Sequence, residues 1–293
     1  MRGAARTSLV AALASWPLAA PGAEVTALPA FDWTPGIEGF GGISDLIVTA
    51  HGAGFVAVSD RGTIYQGRIA RRAGDGAVTA LTVTDSLRPH DTTGREVSGF
   101  RQDAEDLALG PDGEVVVAFE GLARLTAFRP PDPTPRPTHP WDQFRDLWGN
   151  EGFEALSPLP GGGLVAIAES ARDGAYMTFV RQKDGWQAGP PIPGADGYAA
   201  SGADLGPDGM LYLLERTFGL VSGFEARVRR MRPTGADWAE VAPVDLPEEA
   251  LGQNFEGISL WQDGSGGLWL TLVSDNNFRA GEPTVMQEFR LSP

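Results

Sequence analysis

The chain reads as an all-β protein, a β-propeller in which five blades can be counted. Three observations lead there. An apolar, β-like run follows a Gly-rich turn and stops at an acid five times, at Asp60, Glu120, Glu169, Glu215 and Asp275. The phrase that contains it, strand, turn and strand, begins at Ser44, Glu105, Glu154, Ser201 and Glu256, at intervals of 61, 49, 47 and 55 residues. Periods in that range mark repeat architectures, and short strands joined by Gly, Asp and Pro turns mark a propeller rather than a helical solenoid. Composition agrees, with 39 Gly and 23 Pro in 293 residues and no run of helical period longer than one segment.

The elements follow in chain order. Arg2 and Arg6 precede an apolar stretch from Leu9 to Ala20, and small residues at Ala20, Gly22 and Ala23 offer a cleavage site. Together these predict a secretory signal peptide over residues 1–23, leaving 24–293 as a single domain exported to the periplasm or the cell exterior. The apolar stretch is too short for a membrane span. The first repeat predicts strands at Ser44 to Ala50, Phe55 to Ser59, Thr63 to Ala70 and Val78 to Thr84. The fourth predicts Ala203 to Leu205, Met210 to Leu214, Ala226 to Met231 and Trp238 to Val244. The last repeat has three strands, Ile258 to Trp261, Leu268 to Val273 and Thr284 to Leu291. An N-terminal strand between Val25 and Trp33 is expected to complete that blade and close the ring, which removes the exposed edges a sheet protein must manage. A sixth, degenerate blade would have to come from Leu87 to Phe100 or Pro130 to Trp148. The second of these lies in RPPDPTPRPTHPWDQFRDLWGN, whose prolines favour an extended, unpaired backbone and whose WDQFRDLW favours two helical turns. It reads either as a surface loop or as a lid over the mouth of the propeller.

Charge and chemistry narrow the function. The formal charge is −15, and −17 once the two signal arginines are gone, so nucleic acid and anionic membranes are poor partners and cations good ones. There is no cysteine, which excludes disulfides, thiolate metal sites and a lipidated N-terminal Cys. The expected species is a monomer acting on a small anionic substrate such as a phosphoester.

Hairpin geometry turns the repeat into a site. Residues before the first strand and after the second lie at the same end of an antiparallel hairpin, opposite its turn. The pairs Ser44 and Asp60, Glu105 and Glu120, Glu154 and Glu169, Ser201 and Glu215, and Glu256 and Asp275 are 16, 15, 15, 14 and 19 residues apart. All ten positions should therefore gather at the mouth of the central channel, and eight of them are carboxylates. So many like charges in one place are unfavourable unless some stay protonated, pair with Arg or bind a cation. Hard oxygen ligands favour Ca²⁺, and His51, His90 and His139 fall in turns and the Pro-rich loop, away from any such cluster. Any one of the acids has a second reading, as an acceptor for neighbouring backbone amides. Arg61 and Arg216 directly follow Asp60 and Glu215 and read either as anion-binding forks or as partners of the acids beside them. No GxSxG elbow or HExxH helix occurs.

The chain resembles the phytase-like domain family, also labelled esterase-like activity of phytase. The resemblance rests on GGISDLIVTAHGAGFVAVSDRG, DAEDLALGPDG with VVAFEGLARL, NEGFEALSPLPGGGLVAIAES, LYLLERTF, NFEGISLW, TLVSDNNF and TVMQEFRL, which span nearly all of the mature chain. It implies an exported bacterial β-propeller and a calcium-supported phosphoester or ester hydrolase. The family-like motifs contain Asp60 with Arg61, Glu105, Glu120, Asn150 with Glu151 and Glu154, Glu169, Glu215 with Arg216, Asn254 with Glu256, and Asp275 with Asn276. One departure is Glu105-Asp106 where the family has Glu-Gly, an added carboxylate that would alter the metal count. The expected assignment is Asp60, Glu154 and Glu256 as catalytic groups, Arg61, Arg216 and Asn276 on the substrate, and Glu105, Glu120, Glu154, Glu169, Glu215, Glu256 and Asp275 on the metal. A non-catalytic binding propeller and a calcium-dependent carbon-ester or lactone hydrolase are the alternatives.

Overall fold

The computed structural model describes residues 25–292 except 111–112, 148–151, 184, 195–196, 236 and 248–251. The expected signal peptide, and Asn150 with Glu151, lie outside the described residues.

Five antiparallel sheets form the blades of a β-propeller. Two short strands, β1 (Val25–Ala27) and β2 (Phe31–Trp33), come first. Blade 1 is β3 (Ile43–Thr49), β4 (Gly54–Ser59), β5 (Ile64–Arg71) and β6 (Val78–Leu87). Blade 2 is β7 (Ala104–Leu109), β8 (Val115–Phe119), β9 (Arg124–Arg129) and β10 (Asp132–Pro137). In blade 3, β11 (Phe153–Pro158) and β12 (Leu164–Ala168) are followed by β13 (Ala175–Tyr176), β14 (Thr178–Gln182), β15 (Gly185–Ala188) and β16 (Ile192–Pro193), with β13 and β16 pairing apart from the other four. Blade 4 is β17 (Ala199–Leu205), β18 (Leu211–Gly219), β19 (Gly223–Pro233) and β20 (Trp238–Val244). Blade 5 is β21 (Phe255–Gln262), β22 (Leu268–Ser274) and β23 (Thr284–Leu291), completed by β1 and β2, both antiparallel to β23. The ring closes as expected, except that the N-terminal strand is broken in two.

Burial follows from blades stacking face to face. Every residue of β8 (VVVAF) and β12 (LVAIA) is buried, because a middle strand has a neighbouring blade on each side. The outer strand β6 buries only an occasional residue. Five apolar clusters fill the five seams: Trp33, Phe55 and Trp261 at the closure, Phe119 and Phe128 between blades 1 and 2, Phe144 and Phe153 between 2 and 3, Tyr176 and Trp238 between 3 and 4, and Tyr212 and Phe289 between 4 and 5. The inner strands β3, β7, β11, β17 and β21 contact one another in cyclic order and line the axis.

Neither candidate for a sixth blade forms one. Between Leu87 and Phe100 a single bridge joins His90 to Glu96 before a short 3-10 turn at Gly99–Gln102. The Pro-rich stretch is paired after all: Asp132–Pro137 is the outermost strand of blade 2, against β9 with an irregular register. Proline is tolerated there because an edge strand has amides with no ladder partner to lose. The following segment forms turns, not a helix, and it wedges between blades 2 and 3. Phe144 and Leu147 are buried, the Gln143 amide donates to the Trp186 carbonyl, and the Trp186 indole donates to Thr138. These contacts make it an outer brace rather than a lid. Among the described residues no helix is long and apolar enough to cross a membrane.

Candidate functional site

Each inner hairpin breaks register at the same place. Pairing between the two inner strands slips at Ser44, Glu105, Glu154, Ser201 and Glu256, one bulge per blade. A bulge leaves one residue out of the ladder and re-aims its side chain, so the fold presents these five positions at the channel mouth. In blades 2, 3 and 5 the bulged residue is a glutamate.

The bulged glutamates meet the strand-end acids of the same face. Carboxylate oxygens of Asp103, Glu105 and Glu120 lie within 4.8 Å of one another, and so do those of Glu120, Glu154 and Glu169. Glu120 belongs to both groups. Glu154 is 7% exposed and forms no hydrogen bond to any described residue, and Glu169 has a buried oxygen without a partner. Burial first, then the surrounding acids, pushes the carboxyls of Glu105 and Glu154 well above the usual range, and Glu120 and Glu169 are raised for the same reasons. Asp60, with one buried oxygen lacking a partner, is raised to about 7 by burial and by the nearby charges of Asp275 and Asp103. Asp275 is raised by burial, although its carboxylate accepts the Asn277 amide. Asp103, just before the bulge of blade 2, was not among the candidate site residues read from the sequence, because only the starts of the inner strands and the acids that end the second strands were aligned.

Three expected residues have other duties. Glu215 turns away from the mouth into the seam between blades 3 and 4 and is fully buried, its two oxygens taken by Arg227 at 2.6 Å, Arg229 at 2.9 Å and the Tyr176 hydroxyl at 3.0 Å. It is a corrected assignment: no oxygen is left for a cation. Arg216, one residue further, reaches the mouth instead, but its guanidinium donates to Glu256 and to Asn254. Glu256 is thereby committed on one oxygen, which also accepts from the Asn254 amide, and burial still raises its carboxyl. The Asn276 carboxamide is used on the protein itself. Its oxygen accepts the Gly42 and Phe278 amides and its nitrogen donates to the Glu282 carbonyl, so it joins blade 5 to the start of blade 1 and is not available to a substrate. Arg61 differs from Arg216: its guanidinium lies 3.5 Å over the Phe278 ring and forms no hydrogen bond or ion pair among the described residues.

A second set of acids lies deeper. Asp45, Asp106 and Asp204 are almost fully buried on the inner strands of blades 1, 2 and 4. Asp106 accepts the Leu156 amide of blade 3 at 2.7 Å, Asp45 the Ile258 amide of blade 5 at 3.2 Å, and Asp204 the Leu260 amide of blade 5 at 2.7 Å. The neighbouring Asp45 charge adds to the rise of Asp106, and one oxygen of Asp45 is buried without a hydrogen bond. Burial raises all three, Asp204 to about 8. The backbone-binding role considered for the mouth acids is filled by this girdle. Asp106 therefore braces blades rather than adding a ligand at the mouth. Its signal in the sequence was an acid inside a run otherwise apolar, at Asp45, Asp106 and Asp204 alike.

A family model described as phytase-like, esterase-like activity of phytase, matches residues 38–278. Among solved structures, an α-L-arabinofuranosidase from Podospora anserina aligns at 12% identity over 92% of this chain and 97% of its own, with a TM-score of 0.54. The catalytic domain of a GH62 α-L-arabinofuranosidase from Coprinopsis cinerea aligns at 13% identity over 92% and 97%, also with a TM-score of 0.54. At such identities the likeness is one of fold. No curated protein matches the chain in sequence.

Proposed function

The chain belongs to the phytase-like family, and on that premise we propose that it is a calcium-supported hydrolase of small phosphoesters, with its site at the carboxylate mouth. The observation that carries this reading is Glu154. A buried carboxylate with no hydrogen bond among the described residues, grouped with other acids, is costly unless a cation or protons compensate it. An all-oxygen donor set suits Ca²⁺, which takes six to eight oxygens. Asp103, Glu105, Glu120, Glu154 and Glu169 would hold it, in two groups sharing Glu120. Bound there, calcium would neutralise the carboxylates and polarise a phosphoryl or ester oxygen.

The remaining work falls to side chains at the rim. Arg61, free of protein partners among the described residues, offers a guanidinium fork to a phosphoryl oxygen. Asp60, raised to about 7, is suited to exchanging a proton near neutrality, which makes it the preferred general acid or base. Glu256 and Arg216 hold each other at the mouth. Export to the periplasm or cell exterior and a monomeric state complete the proposal.

The test is turnover by residues 24–293 with calcium or with chelator, on phosphomonoesters, an inositol phosphate, a lactone and an acyl ester. The expected result is calcium-dependent phosphoester hydrolysis that Asp60→Asn lowers by about 10²–10⁴-fold in kcat. Turnover of carbon esters alone would move the protein to the esterase reading, and no turnover to a binding propeller.

A further inference from the structure

Beside the mouth, between blades 1 and 2, is a cavity of about 250 Å³ whose lining includes Arg61, Gln102 and Phe119. Each of these is the sequence neighbour of a mouth acid, Asp60, Asp103 and Glu120 respectively, so the cavity and the candidate metal centre share a wall. Arg61 stands at the junction.

The support beneath Arg61 is held in a strained conformation. Asn277 and Phe278 both have positive φ, 49° and 52°, in the region non-glycine residues avoid. Hydrogen bonds from their amides to Asp275 and Asn276 keep them there, and Asn276 is itself tied to Gly42 of blade 1. Gly42 has φ +57, and a Cβ on it would come within 2.2 Å of the Phe278 ring and 2.6 Å of Asp60. Consecutive left-handed residues persist only where the surroundings over-determine them, and such positions cluster at ligand sites. Here the result is an aromatic shelf that seats one guanidinium between cavity and mouth.

The rest of the lining defines what could fit. Arg88 is already paired with Glu96 at 2.8 Å, and Glu38 adds a further carboxylate. Tyr65, buried, presents a phenol, and Gln102 a carboxamide. Beyond Arg61 the lining is thus neutral to acidic and supplies both donors and acceptors. That chemistry suits hydroxyl groups, which donate to carboxylates and accept from amides and guanidinium, and it disfavours a second anion. The volume is below the roughly 300–1,000 Å³ of drug-sized sites, enough for one ring. Resting on the hydrolase reading above, we propose that this cavity receives the uncharged, polyhydroxylated part of a singly phosphorylated substrate, while Arg61 on its Phe278 shelf takes the anionic group.

The test compares binding of glucose 6-phosphate and inorganic phosphate to the calcium-loaded mature chain, and of methyl α-D-glucoside to calcium-free protein by saturation-transfer NMR. Glucose 6-phosphate should bind about fivefold or more tighter than inorganic phosphate, and Glu38→Ala or Tyr65→Phe should each remove most of that advantage. Glu38 is exposed and Tyr65→Phe keeps the ring, so both variants should fold. Inositol hexakisphosphate should gain nothing from the cavity. Equal affinity for glucose 6-phosphate and inorganic phosphate, or an advantage that survives both variants, would overturn the subsite. The glucoside carries no anion and needs no metal, so absence of its signal also overturns the subsite. Failure of calcium to bind would instead strike the mouth reading and leave the glucoside result standing.

Discussion

The propeller carries two sets of acids on the same inner hairpins, and they are used in opposite ways. The girdle of Asp45, Asp106 and Asp204 gives its oxygens to backbone amides of the next blade, so these buried carboxyls link one blade to another. The mouth set of Asp103, Glu105, Glu120, Glu154 and Glu169 is gathered in two groups that share Glu120 and, at Glu154, is buried as deeply, yet Glu154 has no hydrogen bond among the described residues. A buried polar group without a partner lowers stability, so it is retained where something other than stability selects it. A hydrogen bond to another blade's backbone, rather than charge or burial, separates the structural acid from the functional one.

The sharpest way to break that distinction is at Glu215, which holds the repeat position of the mouth acids but lies inside β18 and is paired within the protein. Glu215→Leu removes one partner of Arg229, which keeps Glu240, and the ion pair of the part-exposed Arg227, and should cost about 2–4 kcal/mol in urea unfolding, with calcium affinity unchanged. An altered calcium affinity would return Glu215 to the mouth set. Asp204→Ala leaves the Leu205 and Leu260 amides without acceptors and should lower stability by about 2–4 kcal/mol, with or without calcium.

Glu154→Gln should change sign with the metal. In calcium-free protein at high pH it removes a carboxyl whose ionisation burial opposes and should stabilise, whereas in saturating calcium it should destabilise. A girdle acid shows no such reversal. The smallest effect concerns pH. Burial raises Asp45 above its ordinary value and Asp204 to about 8, so the folded protein holds protons that the unfolded chain releases above about pH 4. Stability from these groups is therefore full at low pH and lost as pH rises through about 8. Asp45→Asn, which removes the titrating carboxyl, should flatten that decline and raise stability at pH 8 by about 1 kcal/mol, with little change at pH 5.

The repeat was legible because each blade must restate the same strand, turn and strand, and that restatement survives in residues such as Gly42, Asp103 and Phe153 onward. The end of the hairpin at which the site forms followed from antiparallel pairing alone. The direction of individual side chains did not, because a bulge shifts the side-chain alternation by one residue and leaves no fixed mark in sequence. Hence Glu215 leaves the mouth while Arg216, expected there, stays at it, and the seam claims Glu215 through Tyr176 and Arg229 on other strands. Asn276 was misread for a related reason: its partners, Gly42 and Glu282, are brought to it only by ring closure and a strained turn. The proline segment was misjudged because an outermost strand tolerates residues that an inner strand cannot.

The most direct test of the central claim is a thermal melt of the chelated mature protein titrated with Ca²⁺, with Mg²⁺ as control, for wild type and for the double variant Glu120→Gln, Glu154→Gln. A ligand that binds only the folded state must raise the melting temperature. The account predicts a saturable, calcium-selective rise in wild type that the double variant abolishes. A wild-type melt indifferent to calcium, or a rise that persists in the double variant, would contradict it.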